Sequence, residues 1–369
     1  MEATTLLKNF IAIYTDLISH QAWSFFRVFY LIKTLEKLTA LCYANAKTHI
    51  GTCMKPLLLA LSCGVFFNLA EGHQATSAGN LEPAIIPNAQ EYVLHSQFTK
   101  KDYRIQVMPV GEVKRIGYSV LYVLDGDALF PAAASMAQNM MARSQETNAV
   151  PFLIVGIGYP NTQLLNPAER AQDYTPPSES YDDTGDKTNK KFGGAEKFYR
   201  FIQEELAPDL HRRFSINTAQ QNIFGHSYGG LFSLYSLFNH PNGFRNYLIA
   251  SPSVWWNQQR ILQDLPAFSE HLQNIKEKIG VRFTVGEYEQ KLAPYMKQDP
   301  QRQKQLDQRA MVTQVKNVAE KLNGLPNDKL AVVSKIYPEE THMTSVMPAL
   351  LEGLKWLYSR CKAQQDCEF

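Results

Sequence analysis

Between Cys63 and Cys361 the sequence has no cysteine at all. The five it does have are Cys42, Cys53 and Cys63 near the start and Cys361 and Cys367 near the end. No CxxC pair and no Cys/His cluster occurs, which argues against a structural zinc site. Charge of one sign is lacking too: 37 Lys and Arg stand against 35 Asp and Glu, a formal net charge of +2. A nucleic-acid binder normally carries a strongly basic domain, so nucleic acid is excluded as the main partner. No apolar run reaches the ~20 residues of a comfortable membrane span. Internal repeats and low-complexity segments are absent as well. What is present is a chain of 369 residues, 45% hydrophobic and 11% aromatic, long enough to bury a full core.

The first 78 residues read differently from the rest. From Met54 the sequence runs MKPLLLALSCGVFFNLAEGHQATSA. Lys55 gives a positive start, Leu57 to Ala70 an apolar stretch broken late at Asn68, and Thr76, Ser77 and Ala78 are small. That is the layout of a secretory signal peptide. Ala60-Leu61-Ser62 before Cys63 is a poor lipobox. Residues 1–53 are then either upstream of the true start or a helical, membrane-associated extension. The division expected is 1–53 extension, 54–78 signal peptide and 79–369 a single enzyme domain. The location expected is periplasmic or secreted, with membrane association only through an uncleaved N-terminal segment. On an exported chain, Cys361 and Cys367 are expected to form a disulfide pinning the tail.

The body alternates short apolar runs with helical patterns. AQEYVLHSQF and DYRIQVMPV alternate apolar and polar, as half-buried antiparallel strands do. YSVLYVLDG, PFLIVGIGYP, QNIFG, NYLIASPS, VRFTVG and KLAVVSKIYP suit strands buried on both faces of a parallel sheet. The expectation is an α/β protein with a mostly parallel twisted sheet of about eight strands and helices on both faces. Residues 161–192 and 287–328 are too long and polar for simple connections. Both are read as lid-like insertions over the active site. Met311, Val312, Val315, Val318, Ala319 and Leu322 in the second follow helical spacing.

Gly225-His226-Ser227-Tyr228-Gly229-Gly230 is a G-x-S-x-G motif between a strand and a helix. It marks the sharp turn that presents a nucleophilic serine above an α/β-hydrolase sheet. The flanking glycines are expected where a Cβ would clash. Serine needs a base to take its proton. His342, after the last strand, is the candidate, whereas His226 is read as a packing residue and His95, His211, His240 and His271 as structural or solvated. A carboxylate should orient that histidine from the end of VRFTVG. Glu289 is preferred and Glu287 is the alternative, with a Ser-His dyad as a third reading. The oxyanion hole would take the N–H of Tyr228 and a second N–H from the loop Leu124-Asp125-Gly126-Asp127. The backbone of Asp127 is assigned, with Gly126 as runner-up.

YVLDGDALF, GHSYGGLFSLY, SPSVWWN, VGEYEQ and EETHMTSVMPALLEGLKWLY together resemble the Putative esterase family of α/β hydrolases, the esterase D-like enzymes. The likeness runs from about residue 88 to 360 and is strongest to the branch of trilactone siderophore esterases. It implies an α/β-hydrolase fold and a serine esterase acting through an acyl-enzyme on a small-molecule ester, with a ferric catecholate siderophore as a candidate and no cofactor or metal. Asp173, Tyr174, Thr175 and Pro176 resemble a family segment near the active site. Trp255 and Trp256 either wall the acyl pocket as substrate-binding residues or belong to the core. The rival functions are a general carboxylesterase, a thioesterase like S-formylglutathione hydrolase, and a ligand-binding protein on a degenerate hydrolase scaffold. Lys291, Lys297, Arg302, Lys304, Arg309, Lys316 and Lys321 lie between the acid and the base. Some of them are expected to form a basic rim at the mouth.

Overall fold

The computed structural model describes residues 85–161, 164–275, 277–364 and 367. The extension 1–53 and the signal-like segment 54–78 lie outside the described residues. Eight strands form one sheet: β1 Gln90–His95, β2 Asp102–Val110, β3 Tyr118–Leu124, β4 Phe152–Gly158, β5 Ile216–His226, β6 Asn246–Ala250, β7 Ile279–Gly286 and β8 Leu330–Tyr337. Their order is β1-β2-β4-β3-β5-β6-β7-β8. β2 runs antiparallel to both β1 and β4, and every other pairing is parallel. The two polar, alternating segments thus sit at one edge and the runs of β3 to β7 fill the middle, whereas β8, expected to be buried on both faces, is the other edge strand and buries only Tyr337. β4 is buried along its whole length, as expected where helices cover both faces.

The helices that matter are α1 Gly126–Met141, α2 Pro167–Tyr174, α3 Ala195–Arg200, α4 Ala207–Arg213, α5 Tyr228–Asn239, α6 Leu265–His271, α7 Pro300–Arg309, α8 Met311–Asn323 and α9 Val346–Gln364. The two-residue period of the strands divides them between two layers. Leu121, Val123, Ile154 and Phe224 face α1 and α9. Val120, Tyr122, Val155 and Ile223 face the other side, which α2 to α6 and α8 cover. This is the α/β-hydrolase fold. At the tail, Cys361 and Cys367 are joined in a disulfide.

The two insertions differ from the expectation that both are covers. α8 is a sheet-face helix. Met311, Val315, Val318, Ala319 and Leu322 are buried in the main core. An apolar stripe that wide needs an apolar surface, and the sheet supplies one. Only the stretch up to α7 is free to cover anything, and Leu306 alone among the α7 residues is buried. In the first insertion, α2 buries Ala171, Asp173 and Tyr174, Thr175, Pro176 and Thr184 are also buried, and most of the rest is exposed loop.

Candidate active site

Parallel neighbours β3, β5, β6, β7 and β8 all end on the same edge of the sheet, and the chemistry-bearing residues follow those ends. At the end of β5 the chain turns into α5 through Ser227, whose φ of 60° and ψ of −115° lie in a region that L residues avoid. Ser227 N–H donates to Ala250 O at 3.0 Å. Ser227 O accepts from Leu231 N–H at 2.9 Å and from Ser253 N–H at 3.1 Å. These bonds hold the turn. A Cβ at Gly225 would lie 2.1 Å from Gly229 O, and one at Gly230 would lie 2.8 Å from Ala250 O. Gly229 is different, for a Cβ there would meet Leu124 Cβ at 3.4 Å, near ordinary contact. The crowding expected of both motif glycines therefore falls on Gly225 and on Gly230 beyond the motif.

The loop after β7 carries both candidate acids. Glu289 is buried and Glu287 is not. Glu287 pairs with Lys291 at 2.6 Å and accepts from Glu339 N–H at 2.9 Å. Glu289 Oε2 accepts from His342 Nδ1 at 2.7 Å. Its Oε1 accepts from Ser251 Oγ at 2.6 Å, Gly286 N–H at 2.7 Å and Ser345 Oγ at 3.1 Å. Burial alone would push this carboxyl up. The hydrogen bond and charge of His342, with Ser251 and Gly286 N–H, outweigh burial and hold it below the ordinary glutamate value. Because Nδ1–H donates to Glu289, His342 Nε2 is left as an acceptor. Gly286 is also a packing glycine, since a Cβ there would lie 2.4 Å from Glu340 O on the loop that carries His342.

Ser227 Oγ lies 3.4 Å from Ser253 Oγ and makes no hydrogen bond to His342 Nε2. Catalytic hydrogen bonds in unliganded enzymes are commonly long and tighten on substrate. His226 is buried beneath this pair and does more than fill space. Its Nε2 bonds to His342 O at 2.8 Å, and the two rings stand 4.5 Å apart. Burial, then the neighbouring His342 and Arg170, press His226 well below the ordinary histidine range. The remaining histidines lie elsewhere, His95 paired with Asp102 and His240 with Glu196.

The loop after β3 packs against the elbow. Asp125 has a left-handed backbone, φ 52° and ψ 47°. Its N–H donates to Tyr174 Oη at 3.1 Å, and its carboxylate takes both arms of Arg170 at 2.8 Å each. Gly126 is sterically required, as a Cβ would lie 2.6 Å from Ile157 N. The Asp127 side chain points into the fold, where it pairs with Arg104 and accepts Tyr159 N–H at 2.8 Å. Bonds inside α1 begin with Ala128 and Leu129 N–H on Asp125 O, so the N–H groups of Gly126 and Asp127 stand in its unbonded first turn. The segment Asp173 to Pro176 supports this loop. Tyr174 bonds Asp125, while buried Asp173 holds Lys101, Tyr103 and Tyr159.

Ser227 and Tyr228 open into a groove of about 1010 Å³. Residues 183–189 form one wall and α7 the other. The tryptophan pair is split. Trp255 lines the groove, with Arg309 lying over its ring at 4.4 Å. Trp256 has no exposed surface and packs on Tyr181 and Phe192, so it is a core residue and not a substrate contact. A turn closed by Trp256 N–H on Ser253 O at 3.0 Å lies at this point. The basic set is also divided. Lys304 and Arg309 face the groove, joined by Arg170 and Lys187, which have no sequence motif. Lys291 is paired with Glu287, and Lys316 and Lys321 sit on the solvated side of α8. Asp186 ties the first wall to the elbow by accepting Tyr228 Oη–H at 2.7 Å. Among the described residues, no group of three or more His, Cys, Asp or Glu is placed to hold a metal ion.

Known proteins resemble this chain in sequence and fold. The chain is 32% identical over 219 residues to the ferri-bacillibactin esterase BesA of Bacillus subtilis, spanning 58% of this chain and 75% of that protein. It is 31% identical over 260 residues to the siderophore enterobactin esterase of Emericella nidulans, covering 67% and 84% respectively. The crystal structure of the BES protein from Bacillus cereus superposes with a TM-score of 0.66 at 31% identity, over 76% of this chain and 99% of that one. Residues 96–325 match the family described as "Putative esterase", and with the elbow and strand order described above the chain belongs to that family of carboxylic ester hydrolases.

Proposed function

We propose that this enzyme opens the ester bonds of a siderophore trilactone, a ferric tri-catecholate being the substrate class favoured, through a Ser227 acyl-enzyme. The observation that carries the chemistry is the 2.7 Å bond between His342 Nδ1 and buried Glu289, which leaves Nε2 as a proton acceptor at the same strand edge as Ser227. In this reading His342 Nε2 takes the proton of Ser227 as Oγ attacks the ester carbonyl carbon. The N–H groups of Tyr228 and Asp127 receive the oxyanion. His342 then passes the proton to the leaving alkoxide, and the acyl-enzyme forms. Water, deprotonated by His342, releases the acid and restores Ser227. Glu289 stays ionised and steadies the imidazolium. These steps are complete without a cofactor, and iron enters only as part of the substrate.

The relatives named above support the substrate class, as do the volume of the groove and the cations Lys187, Lys304 and Arg309 in its lining, which outnumber its carboxylates Asp183 and Asp186. Trp255, with Arg309 over its ring, puts an aromatic side chain in the groove wall beside Ser227. The test is a fluorophosphonate label on Ser227 followed by a substrate panel, p-nitrophenyl esters beside a ferric tri-catecholate trilactone. An unlabelled Ser227 would end the nucleophile assignment. Labelling with p-nitrophenyl turnover but no trilactone cleavage would make the enzyme a general carboxylesterase. We also infer export to the periplasm or beyond, supported by the leader-like run from Met54 and by the tail disulfide, which suits an oxidising compartment.

A further inference from the structure

We infer that His226 is a positioning residue, setting the main chain of the base His342 against the nucleophile through a hydrogen bond from its side chain. The inference rests on the reading of Ser227 and His342 given above. His342 O is a carbonyl and can only accept, so His226 Nε2 carries the proton and donates across 2.8 Å. Ser345 Oγ lies 3.3 Å from the same oxygen, but its one proton is already directed at Glu289 Oε1 at 3.1 Å. The ring of the base is fixed separately by Glu289 through Nδ1. His342 is therefore held at two points, its ring from the end of β7 and its carbonyl from the end of β5.

The second point is the informative one. His226 and Ser227 are consecutive residues, and strand pairing of His226 with Ala250 fixes where that peptide lies. One short piece of backbone thus places the nucleophile and, through a single side chain, the base. His342 otherwise sits on a loop between β8 and α9, and its ring is more than a third exposed. Loops locate reacting atoms less sharply than strands do, and a displacement of about 1 Å costs on the order of 10²-fold in rate. His226 is 6% exposed, with His342 and Arg170 beside it and Glu289 beyond the ring of the base.

The test compares His226→Met, which fills the space without a donor, with His226→Gln, whose amide nitrogen reaches the position of Nε2. His226→Asn, which is too short to reach, is the third variant. Each is read by kcat and KM on a p-nitrophenyl ester, by the rate of fluorophosphonate labelling, and by the downfield proton resonance of His342 Nδ1–H. His226→Met should lower kcat and the labelling rate ~10²-fold with KM within about twofold, and should broaden or shift that resonance. His226→Gln should recover to within about tenfold of the native rate, with the native resonance. Should His226→Met fail to fold, Gln against Asn decides, with Gln active and Asn depressed. Native kcat in His226→Met, or equal losses in folded Gln and Asn variants, would overturn the inference. Failure of the native enzyme to be labelled at all would instead overturn the Ser227 and His342 reading.

Discussion

Glu289 and His342 are 53 positions apart in the chain and share a 2.7 Å hydrogen bond, with the carboxylate buried and the imidazole partly exposed. Three further donors converge on the other oxygen of Glu289. A carboxylate so enclosed cannot turn away from its histidine, whereas Glu287, two residues earlier, is spent on Lys291 in solvent.

Replacing the two glutamates should therefore give unequal results. Glu289→Gln removes the charge facing His342 and offers an amide that can impose the wrong tautomer. It should lower kcat by at least ~10²-fold with little change in KM. Glu287→Gln should stay within about twofold of native kcat. Steady-state kinetics on one p-nitrophenyl ester decides, and a larger loss in Glu287→Gln would reverse the assignment.

Protonation of His226 gives a stability signature. Its folded pKa lies well below 6.5, so the unfolded chain binds a proton that the native state refuses. Stability must then rise with pH in this region and fall as pH drops below the unfolded value. One group contributes at most ~1.4 kcal/mol per pH unit to that slope. In His226→Gln the fall in Tm between pH 7 and pH 5 should be shallower than in the native protein. Parallel Tm profiles would contradict the burial of a neutral histidine there.

The two tryptophans should separate cleanly. Trp256→Ala empties a site with no exposed surface and should destabilise by ~3–5 kcal/mol, visible in urea or thermal unfolding. Trp255→Ala should leave Tm nearly unchanged. It should raise KM for a bulky aromatic ester more than for p-nitrophenyl acetate, because it removes a groove wall and not a core residue.

Salt should distinguish substrates. Lys187, Lys304 and Arg309 line the groove against two carboxylates, Asp183 and Asp186, and charges at its rim are screened over ~10 Å at 0.1 M salt. The kcat/KM for a ferric tri-catecholate trilactone should fall as ionic strength rises, while that for a neutral p-nitrophenyl ester should barely move. An equal response would leave the basic lining without a role in substrate capture.

Export and the tail disulfide are checked on one sample. N-terminal sequencing of the mature protein should begin near Gly79, and Cys361 and Cys367 should resist alkylation until reduced. An intact Met1 chain recovered from the cytoplasm would count against both.

Local sterics and strand order made much of this site readable in the sequence. The bend at Ser227 demands small neighbours and writes itself as a motif. The acid and the base must follow the ends of later strands, which narrows them to a few residues. Glu289 stands one turn beyond Gly286, far enough for its carboxylate to reach back to that N–H, and Glu287 is too early to do so. Other parts had no local signal. Arg170 comes from an insertion helix and meets Asp125 only through the tertiary fold. Trp255 and Trp256 are neighbours at a tight turn, one in the groove wall and one in the core, a division that periodicity does not encode. The stretch 287–328 reads as one insertion in sequence, yet its second half completes the main core and only its first half faces the groove.

α7 has a consequence for how such an enzyme diversifies. It is capped at its start by Asp299, ends at Ala310 in a left-handed turn and buries Leu306 alone. Nine of its ten positions can therefore be rewritten without touching the core, while several of them look straight onto the nucleophile's groove. Groove lining and core packing are thus carried by largely separate residues of this helix, with Gln303 kept for its bonds to Gln290 O and Leu292 N–H beside Glu289. A library confined to Pro300–Arg309, with Gln303 and Leu306 kept, would explore new esters on an unchanged catalytic frame.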